Sequence, residues 1–206
     1  MFKRKCKITF IAHGATIYSE ENRISDAEKY PPINESGQEE IKKICQFLKK
    51  RGVKNDKIYC SPNLRSFQSA RMIAETFKQE VEVVESLYTK KCGVWNNLTF
   101  DDLEEKFPHL LEEYHKNPCQ FTPEGGESLL DFNSRIDECI KSVVEENIGG
   151  RIIIVTNPDV IQSVVRSALD IPPENQTKIR IKTGSATQIS YYDGWASLVY
   201  SGYIPL

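Results

Sequence analysis

Short apolar runs separated by amphipathic stretches limit most strongly what this chain can fold into. Ile8 to Ala12, Lys57 to Cys60 and Ile152 to Val155 are too short for helices and carry β-branched or aromatic residues. After the second run, Phe67, Ala70, Ile73 and Phe77 recur at helical spacing; after the third, Ile161, Val164, Val165 and Ala168 do so over Pro158 to Leu169. Ile41, Ile44, Cys45 and Leu48 mark a further helix, opened by the capping-box pattern Ser36-Gly37-Gln38-Glu39 and stopped near Gly52. Ser128-x-x-Asp131 opens a long helix with Leu129, Phe132, Ile136, Ile140 and Val143 inward, ended by Gly149-Gly150. Glu80 to Val84 is another short strand, and Ser185 to Tyr192 and Trp195 to Tyr200 form a terminal hairpin turning at Asp193-Gly194. Strands alternating with helices predict a three-layer α/β/α sandwich whose mixed six-stranded sheet is mostly parallel. The 206 residues suit a single domain over 1–206. Residues 85–127 are expected to form a cap-like insertion over one end of the sheet. They hold Trp95, Pro108, Pro118, Pro123 and two of the three histidines, with short helices opening near Thr99 and Pro108.

Composition narrows the function classes. A net charge of −2 argues against a general nucleic-acid binder. No apolar run approaches membrane-spanning length, and the basic start Met1-Phe2-Lys3-Arg4-Lys5 is followed by no leader-like apolar stretch, so a cytoplasmic protein without membrane contact is expected. The six cysteines include no Cys-x-x-Cys pair and stand at no ligand spacing with the histidines. Reduced thiols, no metal and no cofactor are therefore expected. His109 and His115, among Glu105, Glu112 and Glu113, read as surface residues.

In open α/β sheets ligands sit outside the carboxyl ends of the strands. Three polar positions fall there: His13 after the first strand, the Ser61–Arg65 turn after the second, and Asn157 after the third. His13 is followed by Gly14, which permits close backbone approach, and by the Thr16 hydroxyl. Arg65 begins a helix, where a cation opposes the helix dipole, so anion binding is the reason sought for it. Asn157-Pro158 is also a good helix start, with asparagine as N-cap and proline next. Cys60 and Arg65 are one residue too close for a cysteine-phosphatase loop, and no glycine-rich nucleotide loop occurs.

Together these segments resemble the histidine phosphatase superfamily, the phosphoglycerate-mutase-like proteins. Ala12-His13-Gly14-Ala15-Thr16 is similar to that family's Arg-His-Gly-x-Thr, and Ser61 to Ala70 to its Ser-x-x-x-Arg-x-x-Gln-Thr-Ala. Asn34 to Gln38, Gly93-x-Trp95, Gly126-Glu127-Ser128 and Val155 to Ile161 follow in family order. The length and compact insertion look most like the small α-ribazole-phosphate-phosphatase-like branch.

The resemblance implies a phosphate pocket in which His13 matches the phosphoryl-accepting histidine and Arg65 one of two arginines, with Gly14, Thr16 and Asn157 as further phosphate contacts. It also implies three changed positions. Ala12 stands for the other arginine, Asn157 for the second histidine and, with Gly93 and Trp95 setting the register, Thr89 for the proton-donating glutamate. Losing one preorganised donor costs roughly 10²–10³ in rate, a phosphoryl-directed arginine about 10³–10⁵ and a general acid about 10²–10⁴. The expectation is a pocket for a phosphorylated or anionic small molecule with impaired phosphoryl transfer; the alternative is an active phosphomonoesterase with a rearranged pocket. Glu127, Glu85 and Asp159 are candidate replacement acids, and Arg23, Lys90, Lys91 and Arg135 candidate replacement cations. Glu127 is expected to reach into the pocket as its family counterpart does. A homodimer is left open.

Overall fold

The computed structural model describes residues 3–25 and 31–206, so Met1 and Phe2 of the basic start lie outside the described residues. Six strands form one sheet: β1 (Cys6–Ala12), β2 (Lys57–Cys60), β3 (Val81–Val83), β4 (Arg151–Thr156), β5 (Ala186–Tyr191) and β6 (Ala196–Tyr203). Their order is β3-β2-β4-β1-β5-β6. β3, β2, β4 and β1 run parallel, while β5 and β6 are antiparallel, giving the expected mixed sheet. The described residues form seven α-helices, in chain order α1 (Ile17–Glu20), α2 (Glu35–Lys50), α3 (Leu64–Phe77), α4 (Phe100–Lys106), α5 (Pro108–Lys116), α6 (Leu129–Glu146) and α7 (Pro158–Ala168).

Alternation along β4 explains the three layers. Ile152 and Ile154 pack with Ile8, Phe10 and Tyr59 against Phe132 and Ile136 of α6 and Ile161 and Val164 of α7. Ile153 and Val155 point the other way, with Ile11, Ile58 and Cys60, against Ile41, Ile44 and Leu48 of α2 and Ala70 and Ile73 of α3. Both faces of the central strands are covered, as an apolar parallel strand requires. A separate cluster of Trp95, Leu103 and Leu111, flanked by Tyr114 and Phe121, holds much of the 85–127 segment together.

Several boundaries differ from the sequence reading. The N-cap of α2 is Asn34, not Ser36: its Oδ1 accepts from the Gly37 amide, which starts the helix earlier. That shift makes Gly37 the third helical residue, where it lies directly against Gly14. The strand expected over Glu80 to Val84 keeps only three residues, and β6 runs on to Tyr203 rather than stopping at Tyr200. The long helix ends at Glu146 with Asn147 as its cap, before the glycine pair. The caps Thr99 and Ser128 form as expected, each accepting from the third residue onward.

Candidate active site

Sheet register brings the three strand-end positions together. Ala12 pairs with Thr156, and Cys60 with Val155. The next residues continue the ladder: the His13 amide donates to the Thr156 carbonyl at 3.0 Å, and the Ser61 amide to the Val155 carbonyl at 3.0 Å. His13, the Ser61–Arg65 turn and Asn157 therefore emerge side by side at the carboxyl edge of β1, β2 and β4.

The loop after β1 is clamped from two sides. The Gly14 amide donates to Ser69 Oγ of α3 at 3.0 Å, and the Ala15 amide to Glu40 Oε2 of α2 at 2.9 Å. A side chain on Gly14 would collide with the Gly37 carbonyl, and one on Gly37 would collide with the Ala15 backbone. This mutual approach is the structural reason for both glycines.

His13 is buried, and its tautomer follows from its neighbours. Nδ1 lies 2.8 Å from the Gly14 carbonyl, which can only accept, so Nδ1 carries the proton. Arg65 Nε donates to Nε2 at 3.1 Å, so Nε2 offers its lone pair. Burial, then the adjacent Arg65 guanidinium, pushes the imidazole pKa down to about 3, against the smaller upward effect of the Gly14 hydrogen bond. A neutral imidazole with a lone pair on Nε2 is chemically competent as a nucleophile.

Arg65 is buried at the start of α3 and holds the cluster together. Its Nε–H is shared between His13 and Asn157 Oδ1, the latter at 2.8 Å, and Nη1 donates to Ser25 Oγ at 2.9 Å. Asn157 Nδ2 in turn donates to Asn63 Oδ1 at 2.9 Å. The expected side-chain N-cap role of Asn157 is not realised: α7 starts there without a side-chain cap bond, because the amide is committed to Arg65 and Asn63. Ala12, with no exposed surface, packs in the core cluster beneath.

A cavity of about 320 Å³ opens over this cluster, lined by His13, Thr16, Arg65, Thr89 and Asn157 among others. Of the candidate acids, Asp159 is part of the lining. Its Oδ2 accepts from Thr89 Oγ1 at 2.6 Å and from the Lys90 amide at 2.7 Å, and Oδ1 accepts from the Val160 amide at 2.8 Å. Glu85 and Glu127 are not in the lining. Glu127 pairs instead with Arg135 at 2.6 Å and takes the Lys91 amide at 2.9 Å. Of the candidate cations, Arg23 and Lys90 line the cavity, while Arg135 is committed to Glu127 and Lys91 sits over the Tyr88 ring. Arg23 is itself tied to Glu21 and to the Asn97 carbonyl.

Sequence reasoning missed Ser25, Asn63 and Ser69. Asn63 and Ser69 both lie inside the second motif, and Asn63, just before Leu64, was legible as a polar residue at a helix start. Ser25 carried no local signal, since its contact with Arg65 spans 40 positions.

A family model for the histidine phosphatase superfamily (branch 1) matches residues 8–202. A bifunctional protein of Mycobacterium tuberculosis is 26% identical over 193 residues, covering 94% of this chain and 52% of that protein. The chain thus spans about half the length of the first curated relatives it matches. The structure of an α-ribazole phosphatase from Shigella flexneri superposes with a TM-score of 0.86 at 20% identity, covering 96% of each chain. That of a phosphoserine phosphatase mutant from Entamoeba histolytica, in complex with phosphoserine, gives a TM-score of 0.83 at 18% identity, again covering 96% of each. At those identities the structural likeness speaks for fold. The family match, running from the first strand through the last, does more: this chain belongs to branch 1 of the histidine phosphatase superfamily.

Proposed function

We propose that the cavity binds the phosphoryl group of a small phosphate monoester, with His13 as phosphoryl acceptor, and that transfer is slow because the pocket is short of fixed positive charge. One observation carries this reading. Among the described residues, the hydrogen bonds given for His13 Nε2 and Arg65 Nε join these two side chains to one neutral amide, Asn157, which in turn holds Asn63. In the attack Nε2 forms a bond to phosphorus and the bond to the leaving oxygen breaks. Water then cleaves the phosphohistidine to release phosphate. Charge developing on the equatorial oxygens needs cations fixed in advance. Arg65 supplies that at one point, while Ala12 and Asn157 supply none.

Among the described residues the leaving oxygen also lacks an evident proton source. Three donors converge on Asp159 and engage both of its oxygens as acceptors. Asp159 is thereby a poor general acid. Glu127, Glu85 and Thr89 offer no better donor: the first is ion-paired, the second lies outside the lining, and the third spends its hydroxyl on Asp159.

The second reading, a competent phosphomonoesterase with a rearranged pocket, draws on Arg23 and Lys90 in the cavity wall. Turnover of p-nitrophenyl phosphate separates the two. Slow hydrolysis that is lost in His13→Ala and rises at least tenfold in Ala12→Arg/Asn157→His supports the first. Fast hydrolysis, lost in His13→Ala and not raised by the double variant, supports the second. Turnover unaffected by His13→Ala overturns both.

A further inference from the structure

Asp159 follows the Asn157-Pro158 start of α7 and places a carboxylate beside the Arg65 cluster. That carboxylate is built into the cavity wall. Thr89 Oγ1, the Lys90 amide and the Val160 amide fix both oxygens in place. It stands in the first turn of α7. No ion pair reaches it among the described residues. Arg23, also in the wall, is already committed to Glu21 and the Asn97 carbonyl.

An unneutralised carboxylate sharing a cavity with a phosphate site repels an anionic ligand. It is tolerable when the ligand brings its own positive charge. We propose that this cavity selects phosphate monoesters of amino alcohols, with the phosphoryl group on the Arg65 side and the ligand's ammonium against Asp159. The inference rests on the phosphate-site reading above and adds the substrate class. Two features of the cavity fit it. A volume of about 320 Å³ suits a small ester, and Tyr18 in the wall offers an aromatic surface that a cationic ammonium favours.

The test uses three esters of similar size, O-phosphoethanolamine, propyl phosphate and phosphoglycolate, with affinities for the whole chain measured by calorimetry. The wild type should bind the amine at least tenfold more tightly than the propyl ester, with phosphoglycolate weakest. In Asp159→Asn, which keeps an oxygen for Thr89 and Lys90, the preference for the amine should fall to within about twofold, while propyl phosphate and phosphoglycolate bind more tightly than before. Asp159→Glu, which returns the charge, should restore the preference. Equal binding of all three esters by the wild type, or an amine preference that survives in Asp159→Asn, overturns this inference and leaves the phosphate site standing. Failure of all three to bind a folded wild type overturns the phosphate-site reading and this one with it.

Discussion

His13 is where the residue scale decides most. The residue is 5% exposed and its ring is held neutral, with the proton on Nδ1 and the lone pair on Nε2. A histidine whose pKa is depressed to about 3 in the folded chain, from an ordinary 6.5, binds fewer protons folded than unfolded throughout that interval. Its contribution to stability is therefore complete above pH 6.5 and is lost as pH falls toward 3. His13→Gln keeps a donor and an acceptor but cannot be protonated. Between pH 6.5 and 4.5 the wild type should lose roughly 2 kcal/mol more stability than this variant, at about 1.4 kcal/mol per pH unit once the slope is full. Urea denaturation at both pH values measures it; parallel losses in the two proteins would show that His13 gains a proton in the folded state. The role of His13 as a strand-end polar residue was legible because β1 and its exit are local features. Its tautomer was not, since that depends on Arg65, 52 residues away.

At the scale of elements, the site is a junction of three strand ends with two helix starts. The central strands, and the helices that cover them, were readable from period and composition because burial on both faces leaves a continuous apolar run. The start of α2 was misread because Ser36 and Asn34 both suit a cap, and what decides between them is remote. Asn34 as cap makes Gly37 the third helical residue, against Gly14, and the Asn34 backbone amide donates to the Ala15 carbonyl at 2.9 Å. Asn157 was misread in the opposite direction: a good local cap was diverted to Arg65 by an interaction no window of sequence contains. The Gly14–Gly37 approach makes a sharp prediction. Gly14→Ala forces the new methyl against backbone rather than against a side chain that can rotate away. It should cost about 3 kcal/mol by denaturation, at the upper end for overpacking. Gly52→Ala also adds a methyl to a glycine, at φ +58, but meets nothing within van der Waals range, so its cost should be confined to the backbone, about 1 kcal/mol. Equal losses at both sites would remove the case for a close α2–β1 contact.

For the whole molecule, the question is how the 85–127 segment stays seated, because it carries Thr89 and Lys90 to the cavity. Its own core is small, and one side chain of α6 fastens both ends of it. Arg135 donates to the Ser86 and Tyr88 carbonyls at 2.8 and 3.0 Å near the start of the segment and pairs with Glu127 at 2.6 Å at its end. Its guanidinium also lies 3.5 Å from the centroid of the Tyr88 ring. The pair is mostly shielded, with side-chain exposures of 17% and 13%, so its loss costs more than a surface bridge would. Arg135→Met preserves much of the packing on Tyr88 and removes the charge and its hydrogen bonds. The segment then opens locally at a free energy lower by roughly 2–3 kcal/mol, which speeds amide exchange there by roughly 10²-fold. Amides of β1 and β4 are buried in a different core and exchange through global unfolding, so their rates should change much less. Because Asp159 is pinned by Thr89 and Lys90, the same variant should weaken the discrimination between O-phosphoethanolamine and propyl phosphate although Arg135 lies outside the cavity lining. Uniform acceleration across segment and sheet would mean that the 85–127 segment and the sheet unfold as one unit, and that Arg135 stabilises the whole fold rather than the seat of that segment.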